Sequence, residues 1–141
     1  MTTSSSARMG NSSRARYLGV GLAASVAHML LMIPGYSENG GLQVGAYAVA
    51  FATSLVATVL VFMLVVPRAG ASTALILGVV AIVTFPAFWL GITLPIAAAA
   101  VLVGVRECAA GQRTGIATSG AVLGVVGAVL TIAIIIGDAT Q

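Results

Sequence analysis

From Ala69 to Val105 the chain runs for 37 residues without one charged side chain. As a single α-helix that run would measure about 55 Å, nearly twice the roughly 30 Å of a bilayer's hydrocarbon core. It must therefore fold back on itself. The breakers lie midway, at Pro86, Gly91 and Pro95, with Trp89 among them. Tryptophan favours the membrane–water interface, and proline suits the first turn of a new helix. The run reads as two short apolar helices, over about 72–89 and 94–109.

The rest of the chain has the same character. Residues 42–66 are a second uncharged run, of 25 residues, ended by Pro67, Arg68 and Gly70. Residues 115–137 are a third, and Asp138 follows them. Residues 17–36 hold no Asp, Glu, Lys or Arg and close on Pro34 and Gly35. With 60% of its residues hydrophobic and 6% charged, such a chain cannot cover its own surface with polar groups. A soluble domain carries about 25% charged residues. The expected fold class is an all-α integral membrane protein, with about five transmembrane helices (17–36, 42–66, 72–89, 94–109, 115–137) and short loops. Its first partner is the lipid bilayer. Residues 1–16, MTTSSSARMGNSSRAR, have almost nothing to bury and are expected as a disordered cytoplasmic tail. Residues 17–141 then form a single membrane domain. No A-x-A-like cleavage site follows the first apolar run, so it reads as an uncleaved anchor.

The arginines test this count. There are six, with no lysine, and the net charge is +3. With five spans, segments 1–16, 67–71 and 106–114 share one side and hold all six; the other side holds Glu38 and Asp138. The positive-inside rule then puts the N-terminus in the cytoplasm and the C-terminus outside. A re-entrant hairpin over 72–105 gives the same sidedness; two full crossings are favoured, because irregular backbone at depth needs protein or water around it. Scattered between long apolar runs, the arginines make no patch for nucleic acid.

Small residues recur at every fourth position. The first span has Gly19, Ala23 and Ala27; the second has Ala46, Ala50, Ser54 and Thr58; the last has Gly120, Gly124 and Ala128. Spacing by four sets each group on one helical face, and in lipid such faces let helices approach closely. They serve either packing within the chain or an interface with a partner, the last span being the first choice for the latter.

Candidate chemistry is sparse. His28 is the ionisable side chain deep within a span, and intramembrane ionisable groups mark proton or substrate paths. With no carboxylate in any expected span to serve as its relay, a neutral imidazole bonded within the bundle is preferred, with Ser25 as a local partner. Glu107 reads as an interfacial residue offset by Arg106 and Arg113, and Cys108 as a half-buried small residue or an acylation site. One histidine and one cysteine cannot build the usual four-ligand zinc site. No G-x-S-x-G, P-loop or H-E-x-x-H occurs. No catalytic residue, metal or cofactor is expected, and the chain does not read as an enzyme.

Residues 74–132 resemble a family of small bacterial membrane domains of unknown function, frequent in actinobacteria. The resemblance is carried by Leu77-Gly78-x-x-Ala81, the Pro/Gly break, Thr114-Gly115 after a short turn, and Ala117-x-x-Gly120-x-x-Leu123-Gly124-x-x-Gly127. Glu107 and Cys108 depart from it. The resemblance implies an apolar hairpin and a bacterial inner (plasma) membrane, and no site residues. The leading expectation is a non-catalytic accessory or structural subunit, associating through small-residue faces with itself as a homo-oligomer or with a larger membrane complex. The alternative is a small oligomeric transporter or channel with His28 near its path. A quinone- or haem-holding subunit ranks last, because His28 has no second histidine to share a haem.

Overall fold

The computed structural model describes residues 11–34, 37–38 and 41–140. The fold is helical, with five main helices: α1 (Asn11–Leu31), α2 (Val44–Leu60), α3 (Ala71–Val83), α4 (Thr93–Ala109) and α5 (Thr114–Ala139). Between α1 and α2 a two-residue antiparallel ladder joins β1 (Ser37–Glu38) to β2 (Gly41–Leu42), with Ser37 opposite Leu42.

Helix ends follow the breakers. The residue before a proline disfavours helical backbone, so α1 stops at Leu31 ahead of Ile33-Pro34, and α3 stops at Val83 ahead of Phe85-Pro86. Pro67 has no N–H to give to the carbonyl four residues back. There α2 loosens into a π-turn (Val61–Val65) and tightens into a 3-10 turn (Val66–Arg68), and the Leu64 carbonyl accepts from Arg68 Nη1 at 2.9 Å. Pro95 sits in the first turn of α4, where a missing N–H costs little. The α4–α5 turn, residues 110–113, passes through Gly111, whose φ of +69° glycine adopts without strain.

Cross-helix contacts set the directions. Gly21 of α1 lies against Phe62, and Ser25 meets Thr58, so α1 and the α2 segment run antiparallel. Gly104 lies against Ala117, and Gly124 against Ala97, so α4 and α5 are antiparallel. Gly120 lies against Ala74, and Gly127 against Ala81, so α3 and α5 are parallel. Successive helices therefore alternate in direction. The described arginines, Arg14, Arg16, Arg68, Arg106 and Arg113, gather at one end of the bundle, and Asp138 lies at the other.

Three expectations are corrected. Residues 1–10 of the expected tail lie outside the described residues, but 11–16 are the opening turns of α1, not tail. Once a helix is nucleated, one further hydrogen bond per residue carries it into polar sequence. The third span, expected over 72–89, is α-helical only to Val83; Phe85–Leu90 is a kinked 3-10 segment. Most consequential is its depth. Gly91, in the turn before α4, accepts a hydrogen bond from Ser54, ten residues into α2 and thus about 15 Å below its start. The α3–α4 hairpin stops part-way up the bundle. Two helical stretches, Val44–Arg68 and Thr114–Asp138, each of 25 residues, are long and apolar enough to cross a membrane by themselves. At 13 and 17 residues, α3 and α4 measure about 20 and 25 Å and do not reach 30 Å.

The interior is made of small side chains. Ala74, Ala81, Ala97, Ala99 and Ala100 are fully buried, while Val49 is 68% and Val129 59% exposed. Central to this is α4, buried along 93–97 and again at Ala99, Ala100, Val103 and Gly104. Larger groups close the gap to α1 and α2, chiefly Phe62, Met29, Val66 and Val103. A Cβ on Gly120 would stand 2.6 Å from the Ala74 carbonyl oxygen, and one on Gly104 2.6 Å from that of Ala117. Backbone cannot yield as a flexible side chain can. We expect Gly120→Ala to destabilise the bundle by about 1–3 kcal/mol. Gly19→Ala, where the added methyl meets nothing within 4 Å, should be neutral or stabilising by up to about 1 kcal/mol. Unfolding of both variants in detergent checks the contrast.

Candidate functional site

The buried polar groups form a layer where α1, α2 and the α3–α4 turn meet. The inward face of α1 carries Gly21, Ser25, His28, Met29 and Met32, spaced three and four apart. Opposite it, α2 turns Ala50, Ser54 and Thr58 inward. The Ser25 and Thr58 hydroxyls are 2.5 Å apart, and Thr58 Oγ1 donates to the Ser54 carbonyl at 2.8 Å. Ser54 Oγ donates to the Gly91 carbonyl at 2.6 Å, and Tyr47 donates its hydroxyl to the Met29 carbonyl at 3.0 Å. On the hairpin, Thr93 Oγ1 donates to the Thr84 carbonyl at 3.3 Å.

This layer has a clear physical task. Where α3 ends and α4 begins, the helical hydrogen-bond ladder is interrupted, and a buried carbonyl without a donor costs about 1–3 kcal/mol. Ser54 supplies the donor to the Gly91 carbonyl, and the Thr84 carbonyl accepts from the Ala87 N–H at 2.9 Å as well as from Thr93. Gly91 has φ +71°, and a Cβ there would lie 2.7 Å from Met29 Sδ and 3.1 Å from Ser54 Cβ. Both the backbone conformation and the space call for glycine.

Each residue singled out in the sequence has a defined place. His28 is fully buried, on the same face as Ser25. The Ser25 hydroxyl, its expected local partner, instead meets Thr58 across the helix interface. Ala50 and Ser54 pack inward, whereas Ala46 is exposed. Gly120 seats α5 on α3, Gly124 seats it on α4, and Ala128 is half-buried against the same core. Gly19, Ala23 and Ala27 face outward, because the α1 stripe that turns inward is the one through Gly21 and Ser25.

At the opposite end of the fold, Arg106 acts as a clamp that its sequence position did not announce. Its Nη1 donates to the Val66 carbonyl at 3.0 Å and its Nη2 to the Ala69 carbonyl, so one guanidinium caps the end of the α2 segment. Glu107 Oε1 lies 3.0 Å from Nη2 and accepts from Nε at 3.1 Å. Only Arg106, of its two expected partners, makes this ion pair; Arg113 is exposed. Cys108 is half-buried, with its Sγ 3.3 Å from Thr118 Oγ1. Among the described residues, no three His, Cys, Asp or Glu side chains come together. Comparison of the chain with protein-family models, curated proteins and solved structures finds no match.

The hydroxyl layer predicts unequal costs. Ser54→Ala leaves the Gly91 carbonyl without its donor and should destabilise by about 1–3 kcal/mol. Ser25→Ala leaves Thr58 its bond to Ser54 and should cost about 0.6 kcal/mol, the average for an interhelical bond in a membrane protein. Denaturant titration of the two variants reads the difference directly.

Proposed function

We propose that this chain is a small non-catalytic integral membrane protein of a bacterial plasma membrane, an accessory or structural subunit that associates through an outward face of α1. One observation carries the membrane part: the residue distribution is inverted relative to a protein built for water. Alanine, glycine, serine and threonine make up most of the interior, with Phe62, Met29, Val66 and Val103 among the few larger groups, while most valines, leucines and isoleucines of α1, α2, α3 and α5 line the outside. Monomeric soluble proteins rarely expose apolar patches beyond a few hundred Å². In hydrocarbon that surface is solvated, and close packing of small residues is the way helices associate there.

The arginine end then faces the cytoplasm, and the Asp138 end faces out. The α2 and α5 stretches cross the bilayer fully. From the cytoplasmic side, the α3–α4 hairpin enters and turns at mid-depth, where its interrupted backbone is enclosed by α1 and α2, as irregular backbone in a membrane must be.

The subunit reading rests on which small-residue face is left over. On α5, Gly120 and Gly124 are occupied by α3 and α4, whereas Gly19, Ala23 and Ala27 of α1 are exposed. A second reading, a transporter or channel, draws on His28 lying in the hydroxyl layer beside the hairpin turn. Against it, Ser25, His28, Ser54 and Thr58 all have 0% exposure, so water does not reach them in this conformation.

Ala23→Phe tests the subunit reading. Purified from native membranes, the wild-type chain should carry a stoichiometric partner or a second copy, and Ala23→Phe should lose it while remaining folded. A wild-type chain that emerges alone and monomeric would refute the subunit reading. Proton or solute flux in liposomes that His28→Ala abolishes without unfolding would establish the transporter instead.

A further inference from the structure

The arginine end holds a niche that the membrane reading alone does not explain. It lies between the start of α3 and the α4–α5 turn, has a volume of about 260 Å³, and is lined by Gly70, Ala71, Ser72, Glu107, Gln112 and Arg113. Charge at this end is one-sided. Five described arginines meet one carboxylate, Glu107, since the chain's other two acids belong to the other end, Glu38 in β1 and Asp138 in the last turn of α5. Glu107 is itself bound by Arg106, with N···O 3.0 Å, and that pair is half-buried. The carboxylate that lines the niche is therefore already neutralised, and the guanidinium that neutralises it has its donors committed to Glu107, Val66 and Ala69. Arg68 spends one donor on the Leu64 carbonyl. Arg113 is left exposed at the rim, where its neighbours Ser72 and Gln112 are also exposed.

We propose that this niche binds the phosphate of an anionic phospholipid headgroup. Arg113 supplies the charge and Ser72 and Gln112 supply neutral donors. The inference rests on the bilayer reading above and goes beyond it, because positive-inside orientation requires only that arginines lie on one side. Guanidinium recognises phosphate with two parallel N–H donors, which gives a geometric preference as well as attraction. At about 260 Å³ the niche is smaller than most small-molecule sites, a size that suits a single headgroup phosphate. An anionic leaflet places that group at the same depth as Arg113, and clusters of basic residues between helices on the cytoplasmic side are suited to such lipids.

The experiment reconstitutes the full chain in bilayers containing spin-labelled phosphatidylglycerol or phosphatidylcholine and measures the motionally restricted fraction of each lipid. The wild-type chain should restrict phosphatidylglycerol preferentially. Arg113→Gln should lower that preference by about fivefold, Ser72→Ala should lower it less, and Arg14→Gln, away from the niche, should lower it least. Excess inorganic phosphate should not compete. Equal losses in Arg113→Gln and Arg14→Gln would mean diffuse attraction and would overturn the niche, and competition by inorganic phosphate would make it a free-anion site instead. Equal restriction of both lipids would overturn headgroup selection while leaving the bilayer reading intact. No restricted component with either lipid would overturn the bilayer reading itself.

Discussion

The helices of this protein stand at separations that only glycine and alanine allow. Gly120 and Gly78 bring α3 and α5 together, and Gly104 and Gly124 bring α4 and α5 together, in each case with carbonyl oxygens or β-carbons less than 3 Å from where a Cβ would be. Close approach multiplies weak dispersion contacts, each about 0.1–0.2 kcal/mol. In hydrocarbon this is the main cohesive term, because moving a leucine from lipid to the protein interior gains almost nothing. The sequence accordingly spends its small residues inside and its valines and isoleucines outside.

Polar contacts have a different role. Ser25–Thr58, Ser54–Gly91 and Thr93–Thr84 are few, and a made bond between helices contributes only about 0.6 kcal/mol net, less than the about 1–3 kcal/mol lost where a buried carbonyl is left without a donor. Their value lies in where they act. A hairpin that ends inside the bundle leaves a buried carbonyl at its turn, that of Gly91, and Ser54 of α2 satisfies it in place of water. Arg106 does comparable work at the charged end, where it caps the loosened tail of the α2 segment across the fold. Together these bonds fix the depth and register of the hairpin within a packing that small residues hold together.

Much of this was legible in the sequence. Proline and glycine positions set the ends to within a residue or two for α4, α5 and the helical stretch Val44–Arg68, though α2 proper stops at Leu60, and the arginine spacing placed the charged segments at one end. What spacing could not tell was which face of a helix meets a neighbour. On α1, two stripes of period four run side by side, one through Gly19 and Ala23, the other through Gly21 and Ser25, and packing chose the second because Phe62 fills the space over Gly21. Hairpin depth was hidden for another reason. For a run of 37 uncharged residues, sequence favours two full crossings over a re-entrant hairpin, and what reverses the choice is the Ser54–Gly91 bond, a contact between residues far apart in sequence. In the sequence Arg106 reads as a topology signal, and its capping role likewise depends on a partner forty residues away.

The account depends above all on hydrocarbon surrounding the outer face and on the hairpin turning within it. Trp89 reports both, being the sole tryptophan of the chain and half-exposed two residues before Gly91. In vesicles of lipids brominated at graded depths, its fluorescence should be quenched most by bromines on the inner acyl-chain carbons and least by those near the headgroup. Quenching that is strongest near the headgroup would contradict the mid-depth turn. The absence of quenching by any brominated lipid would contradict the bilayer setting altogether.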